Sequence, residues 1–148
     1  MANSITIRVD GLAALGERMR GLSAKVANRV SGRATSRAAS IVKKAAKDNI
    51  RRSPSIVTGS LLDAVIMKKL GKSQTSLTSE HIVTVRRRKT GRKTKTKQPT
   101  APHASFVEFG TVNMPAEPYL RPALSRNIQP AIQAMKDALE AGIIKEGA

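Results

Sequence analysis

At 148 residues, 40% hydrophobic and only 2% aromatic, the chain has the size of one domain, and Ala, Val, Ile, Leu and Met must fill its core. The absence of cysteine excludes disulfide scaffolds, zinc knuckles, Cys nucleophiles and iron–sulfur clusters, and no apolar run approaches the roughly 20 residues of a membrane span. Its 27 Lys and Arg against 10 Asp and Glu give a formal charge of +17, a balance that points to nucleic acid, an anionic surface or a larger charged assembly.

Met1 to Asp10 lacks the basic start and long apolar core of a secretory signal. Within it, Ile5, Ile7 and Val9 alternate with Thr6 and Arg8, the period of a half-buried strand over Ser4 to Val9. Asp10-Gly11 ends that strand, and Leu12, Leu15, Met19 and Leu22 then recur at helical spacing, predicting a short amphipathic helix up to about Gly21. From Ser23 the helical pattern resumes: Val26, Val30, Ala34, Ala38, Ile41 and Ala45 form a narrow apolar stripe, with Arg29, Arg33, Arg37, Lys43, Lys44 and Lys47 mainly outside it. Ser53-Pro54 stops this helix, because proline disfavours helical geometry in the residue before it and lacks a donor. A helix from Ser23 to Arg52 is about 45 Å long, and Gly32 weakens it by roughly 1 kcal/mol relative to Ala.

Thr58-Gly59-Ser60 is turn chemistry. Leu61 to Leu70 reads as a strand leaving that turn, Gly71 to Ser79 as a polar turn, and His81 to Arg87 as a second strand that closes a hairpin. Residues 86–98 contain eight basic residues and no apolar one, so they cannot join a core and are expected to form an exposed, flexible loop. Order returns at Ala104 to Phe109, as a strand or short helix running into Gly110. Asn113 to Pro118 reads as an extended, proline-stiffened link, after which Arg121-Pro122 opens the last helix with proline at its first position. Ile128, Ile132, Met135, Leu139 and Ile143 mark the buried face of that helix, and Pro130 kinks it or marks its true start. The whole predicts one α+β domain over residues 1–148: a small antiparallel sheet packed on one long helix, with a C-terminal helix completing a layer.

Residues 1–60 and 61–98 each carry a net charge of +9, whereas residues 99–148 carry −1, so the last third presents a different surface. Enzyme chemistry finds no inventory. His81 and His103 are far apart with no carboxylates clustered around them, and both read as ordinary surface or loop residues. Glu108 and Glu117 imitate an acid/base pair but lack a recognisable substrate-binding group, and Gly59 and Gly110 are isolated rather than part of a phosphate-cradling loop. No cofactor is expected. The basic loop has two readings: a solvated arm, or a sequence-blind and salt-sensitive contact with DNA or an acidic protein face through Arg86, Arg87, Arg88, Lys89, Arg92, Lys93, Lys95 and Lys97. It has no aromatic to stack on a base and no helix to enter a groove. The apolar face of the long helix, mostly Ala and Val, is too thin for membrane insertion.

Three stretches carry a resemblance. Ile5-Thr-Ile-Arg-Val-Asp-Gly-Leu12 leads into a long basic, Ala-rich helix ending at Pro54. Thr58-Gly-Ser-Leu61 follows. Then comes Ala104-Ser-Phe-Val-Glu-Phe-Gly-Thr111 with Met114-Pro-Ala-Glu-Pro-Tyr-Leu-Arg-Pro-Ala-Leu124. In this order the chain resembles the siphophage neck or tail-completion proteins, minor tail and head–tail joining components of the virion. It departs from them in the length and basicity of the 86–98 loop. The resemblance implies a tail-terminator-like fold and a structural, non-enzymatic virus-assembly role in the virion: copies forming a ring, most simply a homohexamer, at the top of a phage tail, completing the tail and joining it to the head. It implies other neck and tail proteins as partners, assembly in the bacterial host cytoplasm and no membrane. The competing reading is a nonspecific nucleic-acid-binding protein of ribosomal or nucleoid type.

The third block supplies candidate interface residues: Phe106, Glu108, Phe109, Gly110, Thr111, Pro115, Pro118, Tyr119, Leu120 and Arg121. Glu108 lies between two large apolar residues and calls for an ionic partner, for which Arg121 is the candidate. Gly110 supplies a turn closed to side chains, and Pro115, Pro118 and Pro122 fix where the last helix departs.

Overall fold

The computed structural model describes residues 12–53, 59–70, 79–86 and 100–147. The chain runs α1 (Leu12–Arg20), α2 (Ala24–Arg52), α3 (Ser60–Ala64), β1 (Val65–Leu70), β2 (Glu80–Val85), α4 (Ala104–Phe109), α5 (Leu120–Ser125) and α6 (Ile128–Gly147). This is an α+β arrangement of a two-stranded antiparallel sheet on one long helix, with a C-terminal helix alongside. The expected strand at Ser4 to Val9, the polar turn at 71–78 and residues 87–99 of the basic loop lie outside the described residues.

α2 is the axle. It packs against α6, α5 and both strands, and its two halves belong to different cores. Val30 and Ala34 pack with Leu15 of α1 and with Leu139 and Ile143 of α6. Ala46 and Ile50 pack with Leu61, Ala64, Val65, Ala104, Tyr119 and Ala123. The buried positions of α2 are therefore Ala27, Val30, Ala34, Ala39, Ala46 and Ile50. The predicted stripe thus holds at Val30 and Ala34, keeps Ala45 packed part-buried against the second core, and needs correction at Ala38 and Ile41. A row of residues four apart drifts by about 40° per step around a helix, and no single row can face two cores on different sides. The helix ends where the sequence indicated: Ser53 is already extended at φ −78°, ψ 124°, and donates its N–H to Ile50 O at 3.2 Å.

The second correction is at Leu61. The segment read as one strand to Leu70 begins as a helical turn, Ser60–Ala64, with Asp63 in its first turn. Leu61 and Ala64 are three apart and both buried, so a helix turn places both in the core before the period of two begins at Val65. From there the hairpin register is Val65↔Val85, Met67↔Val83 and Lys69↔His81, and the Arg86 N–H bonds Ala64 O at 2.8 Å beyond its end.

The expected last helix is two helices, and of the two readings of Pro130 the structure takes the second, a true start at α6. Pro122 and Pro130 each occupy the third residue of their own helix, inside the first turn, where a missing N–H costs nothing. Asn127 bridges the break: its carbonyl accepts the Ala131 N–H at 3.0 Å while its side-chain amide donates to Ala123 O at 2.9 Å. Gly142 lies where α6 crosses α2, and a Cβ there would stand 2.6 Å from Val30 Cγ1. Among the described residues no helix is long and apolar enough to cross a membrane.

Candidate assembly interface

The third sequence block folds into α4, a tight turn and an extended link that enters α5. α4 ends at Gly110, whose φ of +76° suits glycine and whose missing Cβ would lie 2.8 Å from Ala116 N. The chain reverses over 111–114, where the Thr111 N–H donates to Met114 O at 2.8 Å, and returns beside α4 with the Glu117 N–H on Val107 O at 2.8 Å. The link is anchored to α2 at two points: Asn49 Nδ2 donates to Tyr119 O at 3.0 Å, and Ser53 Oγ donates to the Glu117 carboxylate.

Glu108 is the keystone of this block. Only 4% exposed, it accepts the backbone N–H groups of Tyr119 at 2.8 Å, Leu120 at 2.9 Å and Arg121 at 3.1 Å. Those are donors at the start of α5 that no helical carbonyl reaches. The expected ion pair is present as well: Arg121 Nε lies 3.3 Å from Glu108 Oε1, and Arg121 also donates to the Glu108 carbonyl. Four donors compensate the desolvation of the carboxylate. The same charge acts on Tyr119, whose side chain packs in the core at 2% exposure with its hydroxyl 3.4 Å from Ala104 O. Burial, and secondarily the Glu108 charge, push the Tyr119 hydroxyl up from 10 to about 12.

The candidate residues thus divide. Glu108 and Tyr119 are interior, because the carboxylate must reach the α5 amides and the ring fills the core, so they position the surface rather than form it. Leu120 is half-buried, while Phe106, Phe109, Thr111, Pro115, Pro118 and Arg121 are exposed. Phe106 is 55% and Phe109 68% exposed, and their spacing of three puts both on one face of α4. The Arg121 guanidinium sits 5.1 Å from the Phe109 ring centre, a cation–π contact that steadies the ring without covering it. Val112, at the turn's tip, is fully exposed, and Leu124 of α5 is half-exposed. Sequence reasoning passed over both. For Val112 the signal was an apolar side chain between two turn-forming polar residues.

Of the basic-loop candidates, Arg86 is described: its backbone pairs with Ala64 and Ala101. Arg87, Arg88, Lys89, Arg92, Lys93, Lys95 and Lys97 lie outside the described residues. His81 lies on the strand expected for it. It is a half-buried strand residue with Nδ1 2.9 Å from Thr35 Oγ1, tying the hairpin to α2. His103 is exposed at the turn before α4, and its carbonyl accepts the Phe106 N–H at 3.0 Å.

The third block thus presents an edge of exposed aromatic and aliphatic side chains, locked from behind by a buried carboxylate. Comparison with protein families matches residues 13–110 to the family described as "Bacteriophage HK97-gp10, putative tail-component". The match covers more than half of the chain, from α1 through α4 to Gly110, and the chain belongs to that family of phage tail components. No curated protein and no solved structure matches the chain.

Proposed function

We propose that this chain is a structural subunit of a siphophage neck. Its copies assemble in the host cytoplasm into a ring, most simply a homohexamer, at the top of the tail, where the ring completes the tail and joins it to the head. The observation that carries this reading is the exposure of Phe106, Phe109 and Val112 on a block fixed by Glu108 and Gly110. In a chain with three aromatic residues, leaving both phenylalanines in solvent has a cost that docking removes. A closed ring needs a heterologous contact, two different faces meeting repeatedly until the rotation closes. The contrast between a strongly basic residue 1–98 region and a near-neutral remainder is compatible with such pairing.

The test is electron microscopy of the purified protein together with infection by a phage lacking the gene. Ring-shaped class averages and tails that fail to join heads support the reading. A protein that stays monomeric at high concentration and is absent from virions overturns it.

A further inference from the structure

The polar face of α2 is a ridge of positive charge. Arg29, Arg33, Arg37, Lys44, Lys47 and Arg51 fall within roughly a quarter of the helix circumference at about 100° per residue. They run about 33 Å along the axis at 1.5 Å per residue. All but the half-buried Lys47 are exposed. Ser36 and Ser40 lie between them, and no large apolar side chain interrupts the face. Only part of this charge is answered within the chain. Glu146 of α6 pairs with Arg29 and reaches Arg33 at 4.0 Å, and Asp48 pairs with Arg51 at 2.7 Å. Arg37, Lys44 and Lys47 have no acidic partner among the described residues. Beside the ridge, at the seam with α6, a trough of about 430 Å³ is lined by Arg33, Arg37, Ser36, Ser40 and Lys145, adding a cation and hydroxyl donors from two helices.

We propose that this α2 ridge is a binding face for duplex DNA, separate from the aromatic edge that docks protein. Protein interfaces are centred on aromatic and aliphatic anchors and depleted of Lys. Among the described residues, the exposed large apolar side chains are Phe106, Phe109, Val112 and Leu124 on the α4 to α5 block, Leu70 on β1 and Ile144 on α6, and none of them lies on the ridge. Nucleic-acid interfaces have the opposite character: strongly cationic, polar and wet. Duplex DNA carries one charge per about 1.7 Å of axis, so a 33 Å ridge passes roughly twenty phosphates and each cation meets one. Cations aligned along one ridge meet the phosphate backbone, and such contacts position a duplex without reading its sequence. The inference does not rest on ring formation, since one subunit presents the whole ridge.

The experiment is fluorescence anisotropy of a labelled duplex of arbitrary sequence, titrated with protein across a salt series. Wild type binds with a log–log salt slope that reflects several phosphate contacts. In the triple variant Arg37→Gln/Lys44→Gln/Lys47→Gln the slope becomes shallower by about three, about one per cation, and affinity at low salt falls more than about tenfold. The single variants Arg37→Gln and Lys44→Gln, at exposed positions, each lower the slope by about one. Glu146→Gln, which releases Arg29 and Arg33, tightens binding. A chain with Arg87 to Lys97 neutralised keeps the ridge-dependent part of the slope. Absence of DNA binding at about 50 mM salt, a wild-type slope in variants whose circular dichroism and melting are unchanged, or ridge variants that lose self-assembly while keeping DNA affinity would each overturn the proposal. Sedimentation of the same variants reports assembly separately, so a monomeric protein that binds DNA through the ridge leaves this inference standing while removing the ring.

Discussion

Glu108 Oε2 accepts the backbone N–H of Tyr119 at 2.8 Å, and through this bond one buried carboxylate holds the start of α5 against the end of α4. The bond spans eleven residues of chain and fixes the block that carries Phe106 and Phe109. Replacing Glu108 with Ala strands three amide donors, at a cost of about 3 kcal/mol, while the exposed Arg121 guanidinium keeps solvent and the residue-108 carbonyl. Glu108→Gln keeps the shape but turns an amide donor toward amide donors and costs less, about 1–2 kcal/mol. Denaturant titration of both variants gives the order: Ala below Gln below wild type.

Tyr119 is the chain's only tyrosine and there is no tryptophan, so tyrosinate absorbance reports this one site. Its hydroxyl is pushed up to about 12 in the fold against 10 when free, chiefly by burial and then by the Glu108 charge. Above pH 10 the unfolded chain loses the phenolic proton first and so binds fewer protons than the native state. Stability from this group is therefore complete below pH 10 and is lost as pH rises toward 12. Absorbance of the folded protein should titrate near 12 and that of the urea-unfolded protein near 10. Coincident curves would show that the ring is open to solvent.

Where α6 crosses α2, Gly142 has no room for a methyl group, because its Cβ would stand 2.6 Å from Cγ1 of the fully buried Val30. Gly142→Ala, normally favourable in a helix by about 1 kcal/mol, is expected here to destabilise by about 1–3 kcal/mol through overpacking. The double variant with Val30→Ala should recover part of the loss, a non-additivity read from a thermal-melting cycle.

The long helix and the hairpin were legible because their periods are sustained over many residues. Ser60–Ala64 was not, since five residues are too few for periodicity to separate a helix turn from a strand. The bond between Glu108 and Arg121 could be anticipated from charge alone. The three backbone amides could not, because capping from a distant segment leaves no local pattern, unlike the Ser, Thr or Asp caps found beside a helix. Nor could exposure of Phe106 and Phe109 be read from composition, since a chain poor in aromatics would be expected to bury the few it has. It buries only Tyr119, the one with a hydroxyl that reaches a carbonyl.

Phe106 and Phe109 contribute little to the fold of one subunit, because both rings are more than half exposed. Phe106→Ser/Phe109→Ser should therefore melt within a few degrees of wild type, as surface substitutions do. If the α4 edge docks a neighbouring copy, each ring acts as an anchor worth about 2 kcal/mol or more, and their joint loss weakens association at least a hundredfold. Arg121→Ala should weaken association less, since it removes the cation that steadies the Phe109 ring along with one of the four donors to Glu108. Sedimentation across a concentration series measures this directly. A double variant that assembles at the wild-type concentration places the subunit contact elsewhere on the molecule, and one that stays monomeric while retaining its melting transition assigns the contact to this edge.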